Sequence, residues 1–384
     1  MYPSVSEVAV RPDSLVRGAD ASSASVSAYS GSGAACVDAD PLQALTDSME
    51  EVSMMFESRE AKRMAERKLG GAVQSTVGRA RMSVLETAAE GWRRTFPDLP
   101  DNRTLAGLLN EVRTGTRQMT GGELLLRLSS MTEDHSLAFA VLDCLEQGLG
   151  DGEKSSLAMV RAAKALLRGE YGAEIRAGVN IADEVNRRAD SPSECGGLRA
   201  LYNGEVLGFE TPQSCFRSLI AKYGKSGFGA AIDFLRASAG ADVQSAHPSK
   251  GAAELRRITL DLQCVAVLTT TLESMEHLVG GMRTLFGMKP LLDGTSLTGR
   301  VVDLTELAFP TAANVTAVAE LCGADAVRAR LYFLQRLLAE LRRLSSRMFK
   351  DAQARLGLVS AAQEAVDSAV ESVEDEESRE DGRE

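Results

Sequence analysis

Ten apolar residues between Leu255 and Phe286 (Leu255, Ile258, Leu262, Val265, Leu268, Leu272, Met275, Val279, Met282 and Phe286) follow one another at intervals of three or four. An α-helix, which turns once in 3.6 residues, gathers such positions on one side, whereas a strand needs alternate positions. A helix unbroken over 254–286 would run about 50 Å at 1.5 Å per residue, and an apolar side of that length demands partners all along it. Such a chain folds by packing helices on helices. Gly280-Gly281 is the point where this helix is expected to kink or end.

The same spacing recurs elsewhere, separated by short breakers. Candidate helices cover 73–96, 103–113, 121–131, 134–148 and 153–168, then 172–189, 196–208, 212–223 and 227–239, with a last long one at about 326–350. Asp40-Pro41 and Thr211-Pro212 read as helix starts, an acceptor side chain for the free amides followed by a proline with no amide to satisfy. Behind Asp40-Pro41, Leu42, Leu45, Met49, Val52 and Phe56 form a regular helical stripe. It serves equally well to pack inside the protein or against another one. Arg300–Leu304 is the one weak strand candidate. Leu, Ala, Glu and Arg dominate and aromatics are only 5%, which suits helices better than sheets. With 384 residues and 44% hydrophobic content, the chain can supply several packed units. The expected fold is all-α.

The two ends differ from the body. Residues 1–40 carry nine serines in the first 35 positions, with apolar residues only singly, a composition that cannot offset the entropy of ordering. From Glu371 to Glu384 there are eight acids and two arginines, so the segment after about 367 is expected to be a mobile acidic tail. Much of the net charge of −11 sits there. A chain of that charge is poorly suited to a nucleic-acid partner, whose phosphates call for clustered Lys and Arg. No stretch approaches the ~20 apolar residues of a membrane span, and the start lacks the basic and apolar regions of a conventional signal peptide; stable membrane insertion is not expected.

No enzyme motif emerges. The six cysteines (36, 144, 195, 215, 264 and 322) include no close pair and read as buried free thiols. The histidines at 135, 247 and 277 match no ligand spacing, so no metal site is expected. Gly224-Lys225-Ser226 resembles the end of a phosphate-binding loop, but Leu219 stands where its first glycine is required and the segment before it is helical; a helix–helix turn is the better reading. Phe228 likewise replaces the second glycine of a nucleophile elbow. No catalytic residues and no cofactor are expected.

Three stretches carry a resemblance. They are Leu45 to Arg67 in the opening helix, Glu174-Ile-Arg-Ala-Gly-Val-Asn-Ile-Ala, and Leu198 to Leu235 with Leu201-Tyr202, Val206-Leu207-Gly208, Phe216-Arg217 and Gly227-Phe228. Asp261-Leu262 through Leu272 fits as well. In order, spacing and total length, residues 40 to 365 resemble the type III secretion gatekeepers, the YopN-, InvE- and MxiC-like family, with a TyeA-like part fused at the C-terminus. The resemblance implies an elongated rod of three consecutive helical bundles. Its parts would be a disordered secretion signal (1–40), a first domain opening with a chaperone-binding helix (41–168), a second (169–286), a TyeA-like third (287–366) and the acidic tail (367–384).

It also implies a bacterial cytoplasmic protein at the type III export apparatus, itself exportable. Such a protein binds secretion chaperones, chaperone–translocator complexes and export-apparatus components, promotes translocator export and holds effectors back until host contact. The candidate contacts are Leu42, Leu45, Met49, Val52 and Phe56 for a chaperone, Phe209 beside a joint, and Tyr332, Arg336 and Arg343 on the last long helix for the export apparatus. A translocated effector acting as a scaffold in the host cell shares the disordered head, and a helical enzyme would need a deep pocket with convergent polar groups.

Overall fold

The structure, a computed structural model, describes residues 73–115 and 119–381. The candidate contacts Leu42, Leu45, Met49, Val52 and Phe56, the serine-rich head and the Asp40-Pro41 start lie outside the described residues. Within them the chain is all-helical. The α-helices are α1 (Val73–Thr95), α2 (Asn102–Thr114), α3 (Gly121–Ser129), α4 (His135–Gly148), α5 (Lys154–Asn180), α6 (Ala182–Arg188), α7 (Pro192–Tyr202), α8 (Pro212–Gln244), α9 (Ala252–Phe286), α10 (Gly294–Thr305), α11 (Ala312–Leu321), α12 (Val327–Arg343) and α13 (Ala352–Asp381). A π-turn, Asn203–Leu207, follows α7, and a 3₁₀ turn, Ser346–Met348, follows α12.

Local chemistry fixes many of the starts. The Asp101 carboxylate accepts from the Thr104 amide at 2.8 Å, and Asp293 does the same for Ser296 at 2.7 Å. Thr120 with Glu123 and Thr211 with Ser214 form reciprocal caps, the latter with Pro212 in the first turn. Each satisfies amides that a helix start leaves free. Two ends use glycine where the backbone turns left-handed. Gly224, at φ +63°, interrupts α8 where the sequence suggests a turn, and Gly287, at φ +64°, stops α9.

Several elements depart from the sequence reading. Gly280-Gly281 does not break α9, which runs to Phe286. The small residue there makes room for α12, because a Cβ on Gly281 would lie 2.6 Å from the Tyr332 hydroxyl. Arg300–Leu304 is not a strand. It belongs to α10, whose Leu297, Val301, Val302 and Leu304 are buried on one side. The last long helix ends at Arg343 rather than 350: Leu344 is extended, and Met348 and Phe349 turn back into the core. The segment expected to be a mobile tail continues α13 to Asp381. Ala361, Ala362, Ala365, Val366 and Ala369 are buried, so the apolar stripe carries the helix into the acidic run, and Arg328 pairs with Glu377 at 3.2 Å.

The buried apolar side chains form two clusters. One, from Leu85 to Ile175, is built by α1–α5 around Trp92, Phe96 and Phe139. The other, from Ala177 to Ala369, is threaded by α9, whose apolar side meets α8, α10 and α12.

Where the two clusters adjoin, polar groups take over. Arg199 of α7 is fully buried. Its Nε donates to Asp134 at 2.5 Å, its Nη2 pairs with Asp98, and its guanidinium lies 4.8 Å from the Phe96 ring centre. Asp134 also caps α4 through the amides of Ser136 and Leu137. Nearby, Asn186 donates to the Arg94 carbonyl at 3.1 Å. A second buried acid, Asp242 at the end of α8, accepts from Tyr202 Oη at 2.6 Å, the Ser249 amide at 2.8 Å and Asn180 Nδ2 at 2.8 Å, tying the α8–α9 turn to α5 and α7.

Removing one partner from a buried charged set leaves the others uncompensated. Arg199→Met should therefore cost about 3–5 kcal/mol in urea unfolding, with part recovered when Asp98→Leu and Asp134→Asn are added; a loss below about 1 kcal/mol would remove this pairing from the stability account. Two glycines separate space from propensity. A Cβ on Gly294 would meet the Glu276 backbone at 2.8 Å, whereas one on Gly280 meets nothing within 4 Å. Gly294→Ala should destabilise by about 1–3 kcal/mol, and Gly280→Ala should stabilise by about 0.5–1 kcal/mol, both read from denaturant melts.

Candidate partner-binding surface

The residues singled out on the last long helix come together. α12 buries Ala329, Phe333, Leu334, Leu337, Leu338 and Leu341, which leaves Tyr332, Arg336 and Arg343 toward its outer side. Tyr332 is half-buried, its ring 5.6 Å from that of Phe286, and the exposed Arg336 guanidinium lies 5.6 Å from the Tyr332 ring centre. Two turns on, Arg343 donates back to Glu340 Oε1 at 2.9 Å. Glu340 is 7% exposed, and its Oε2 has no hydrogen-bond partner. Together with His277 and Ser274 of α9, Tyr332, Arg336 and Glu340 line a groove of about 300 Å³. Its chemistry is that of recognition: an aromatic wall, a cation at the rim, and an acceptor oxygen at depth.

Phe209 lies apart from that groove. It follows the π-turn at the joint between α7 and α8 and is half-buried against the second cluster rather than open. With Glu205, Glu210 and Ser218 it lines a small cavity of about 160 Å³. Beyond Glu210 opens a cleft of about 520 Å³, which the sequence did not suggest. There Asp261 holds Arg257 at 3.1 Å and Arg347 at 2.7 Å, and the buried Gln213 donates to the Met348 carbonyl at 2.6 Å. The cleft mixes both signs of charge, with Asp261 offsetting both Arg257 and Arg347 at short range.

The remaining polar groups are used in packing. His135 Nδ1 lies 2.6 Å from Glu174 Oε2, and its ring stacks on Tyr171 with centres 3.5 Å apart, where the backbone of α5 leaves helical geometry. Asp143 accepts from Trp92 Nε1 at 2.9 Å and Lys164 Nζ at 2.5 Å. Lys225, in the stretch resembling a phosphate loop, pairs with Glu276. Burial pushes the Cys144, Cys195, Cys215 and Cys322 thiols up, away from the reactive thiolate. Among the described residues no group of three or more His, Cys, Asp or Glu is placed to hold a metal ion, and no helix is long and apolar enough to cross a membrane.

The HrpJ-like domain family matches residues 44–223, and the TyeA family matches residues 295–376. The hypersensitivity response secretion protein HrpJ of Pseudomonas syringae pv. syringae is 28% identical over 152 residues; the match spans 39% of this chain and 44% of that relative, less than half its length. Among solved structures, CopN of Chlamydia pneumoniae covers 73% of this chain over 98% of its own, with 19% identity and a TM-score of 0.52. A CopN-Scc3 complex gives 73%, 99%, 19% and 0.51 in the same measures. Methylated MxiC of Shigella flexneri covers 71% over 96% of its own chain, with 17% identity and a TM-score of 0.53. At such identities these structures establish the shared helical fold. The two domain families, in this order and together over more than half of the sequence, decide the rest: the chain belongs to the type III secretion gatekeeper family, with an HrpJ-like domain and a TyeA domain in one polypeptide.

Proposed function

We propose that this protein is a regulator of type III secretion that sets the order of export. It promotes release of translocators and holds effectors back until host contact, and it works by binding rather than by catalysis. The observation that carries this reading is the joining of an HrpJ-like domain and a TyeA domain in one all-helical chain. It acts in the bacterial cytoplasm at the export apparatus and is itself exported once released. Its partners are secretion chaperones, chaperone–translocator complexes and components of the apparatus. That CopN has been solved in complex with Scc3 supports a role in partner binding for this fold.

Within this proposal the head (1–40) is the export signal, the segment with Leu42, Leu45, Met49, Val52 and Phe56 receives a chaperone, and three consecutive bundles (41–168, 169–286 and 287–366) form the rod. Tyr332, Arg336 and Arg343 contact the export apparatus, with Phe209 contributing at the joint. A regulator of this type needs two states with different affinities, because a partner that binds both equally shifts neither.

Two experiments test the contacts. Arg336→Glu, a change at an exposed position, should weaken binding of a purified export-apparatus component by at least about tenfold, near 1.4 kcal/mol, with an unchanged melting temperature; undiminished binding would remove this face. Leu45→Asp with Val52→Asp should abolish chaperone association while leaving the melting temperature unchanged. Retained association with a collapsed melting temperature would place that stripe inside the protein instead.

A further inference from the structure

Phe309, in the loop between α10 and α11, is 90% exposed, and Leu356, in the first turns of α13, is 64% exposed. The two belong to one patch. Pro310, next to Phe309, comes within 3.6 Å of the place a Cβ would take on Gly357, next to Leu356. Because α13 turns Ala354, Leu358 and Ala361 into the core, the 100° step of the helix sends Leu356 straight outward, with Gly357 on its Pro310 flank and Arg355 on the other.

The flank bearing Arg355 is basic. Arg355 Nη2 donates to the Arg342 carbonyl at 3.0 Å, which brings the end of α12 to the edge of the patch. Arg342 reaches the amide oxygen of Gln363 at 2.8 Å. Neither guanidinium has a carboxylate partner among the described residues, and the Arg355 Nε is buried without a hydrogen bond. Residues 336–355 carry six cations and two carboxylates in a chain whose net charge is −11. An outward aromatic and an outward leucine, with arginines lacking a carboxylate partner on the far flank, have the composition of a protein interface anchor.

We propose that Phe309, Leu356, Arg342 and Arg355 form a docking site for a partner protein whose surface offers an apolar pocket bordered by carboxylates. Charge complementarity selects that partner: the arginines lack the anions that pair with so many cations elsewhere in the fold, and a partner's carboxylates supply them. An anionic membrane fits less well. Two apolar side chains give little insertion, and the overall negative charge opposes approach to anionic lipid. The site lies within the TyeA-matched residues but does not depend on the gatekeeper reading.

The test places the photo-crosslinking residue p-benzoylphenylalanine at position 309 of the full chain, in the bacterium that makes it, with position 166 as an exposed control. The expected result is a discrete protein adduct from 309 and none from 166. Its yield should fall at least about tenfold with Arg342→Glu and Arg355→Glu and return when the partner's carboxylates at the cross-linked segment are changed to lysine. Leu356→Ser should lower the yield as well, with the thermal melting curve of the purified chain unchanged. Absence of an adduct, or an adduct indifferent to both charge reversals, would overturn the proposal. So would flotation of the purified chain with phosphatidylglycerol vesicles through Phe309, which would assign the patch to a lipid surface.

Discussion

The pairing of Arg199 with Asp98 and Asp134 is the constraint on which the layout of this protein turns. A guanidinium taken fully out of water is tolerated only where opposite charges and hydrogen bonds surround it. Here those charges come from the α1–α2 connection and from the cap of α4, while the arginine comes from α7. Three separate parts of the chain are thereby held at one point, and the two apolar clusters meet in a single relative position. The geometry is directional in a way that apolar packing is not. Asp134 is committed twice, to Arg199 and to the amides that begin α4, so the start of a core helix of the first cluster is tied to α7 of the second.

A second polar contact crosses the seam beside that point, where Asn186 reaches back to the end of α1. Within the second cluster, Asp242 gathers Tyr202, Asn180 and Ser249 around the α8–α9 turn. Apolar contacts provide most of the burial inside each cluster, while paired polar groups define how the clusters join. For the proposed binding role, such a division would keep the candidate faces in fixed relation. The long α9 then extends the second cluster to α12, whose outer side carries the Tyr332 groove. The α12–α13 hairpin also carries the basic flank beside Leu356.

How much of this was legible in the sequence depends on the range of the interaction concerned. The 254–286 stripe announced α9 because spacing alone decides it, and Thr211-Pro212 and Gly224 marked the two ends of a helical segment through local chemistry. The failures are also physical. Gly280-Gly281 looked like a break because glycine lowers helix propensity, yet the close approach of Tyr332 favours it there. The acidic run looked mobile because its charge hid an Ala and Val stripe continuing from Ala361 to Ala369. On the candidate surface, Tyr332, Arg336 and Arg343 share one helix, so helical spacing could place them on one side, whereas Glu340 beside them was not singled out. The Arg199 set was illegible, since its partners lie 65 and 101 residues away and no local pattern links them. The exposed Phe309 gave no signal either, because a single aromatic in a loop reads the same whether buried or bare.

The central claim, that this chain orders type III export, is tested most directly by the proteins a clean deletion strain secretes under non-inducing conditions. The account predicts premature effector release together with reduced translocator export, restored by the full chain supplied in trans. An unchanged order of export would contradict it.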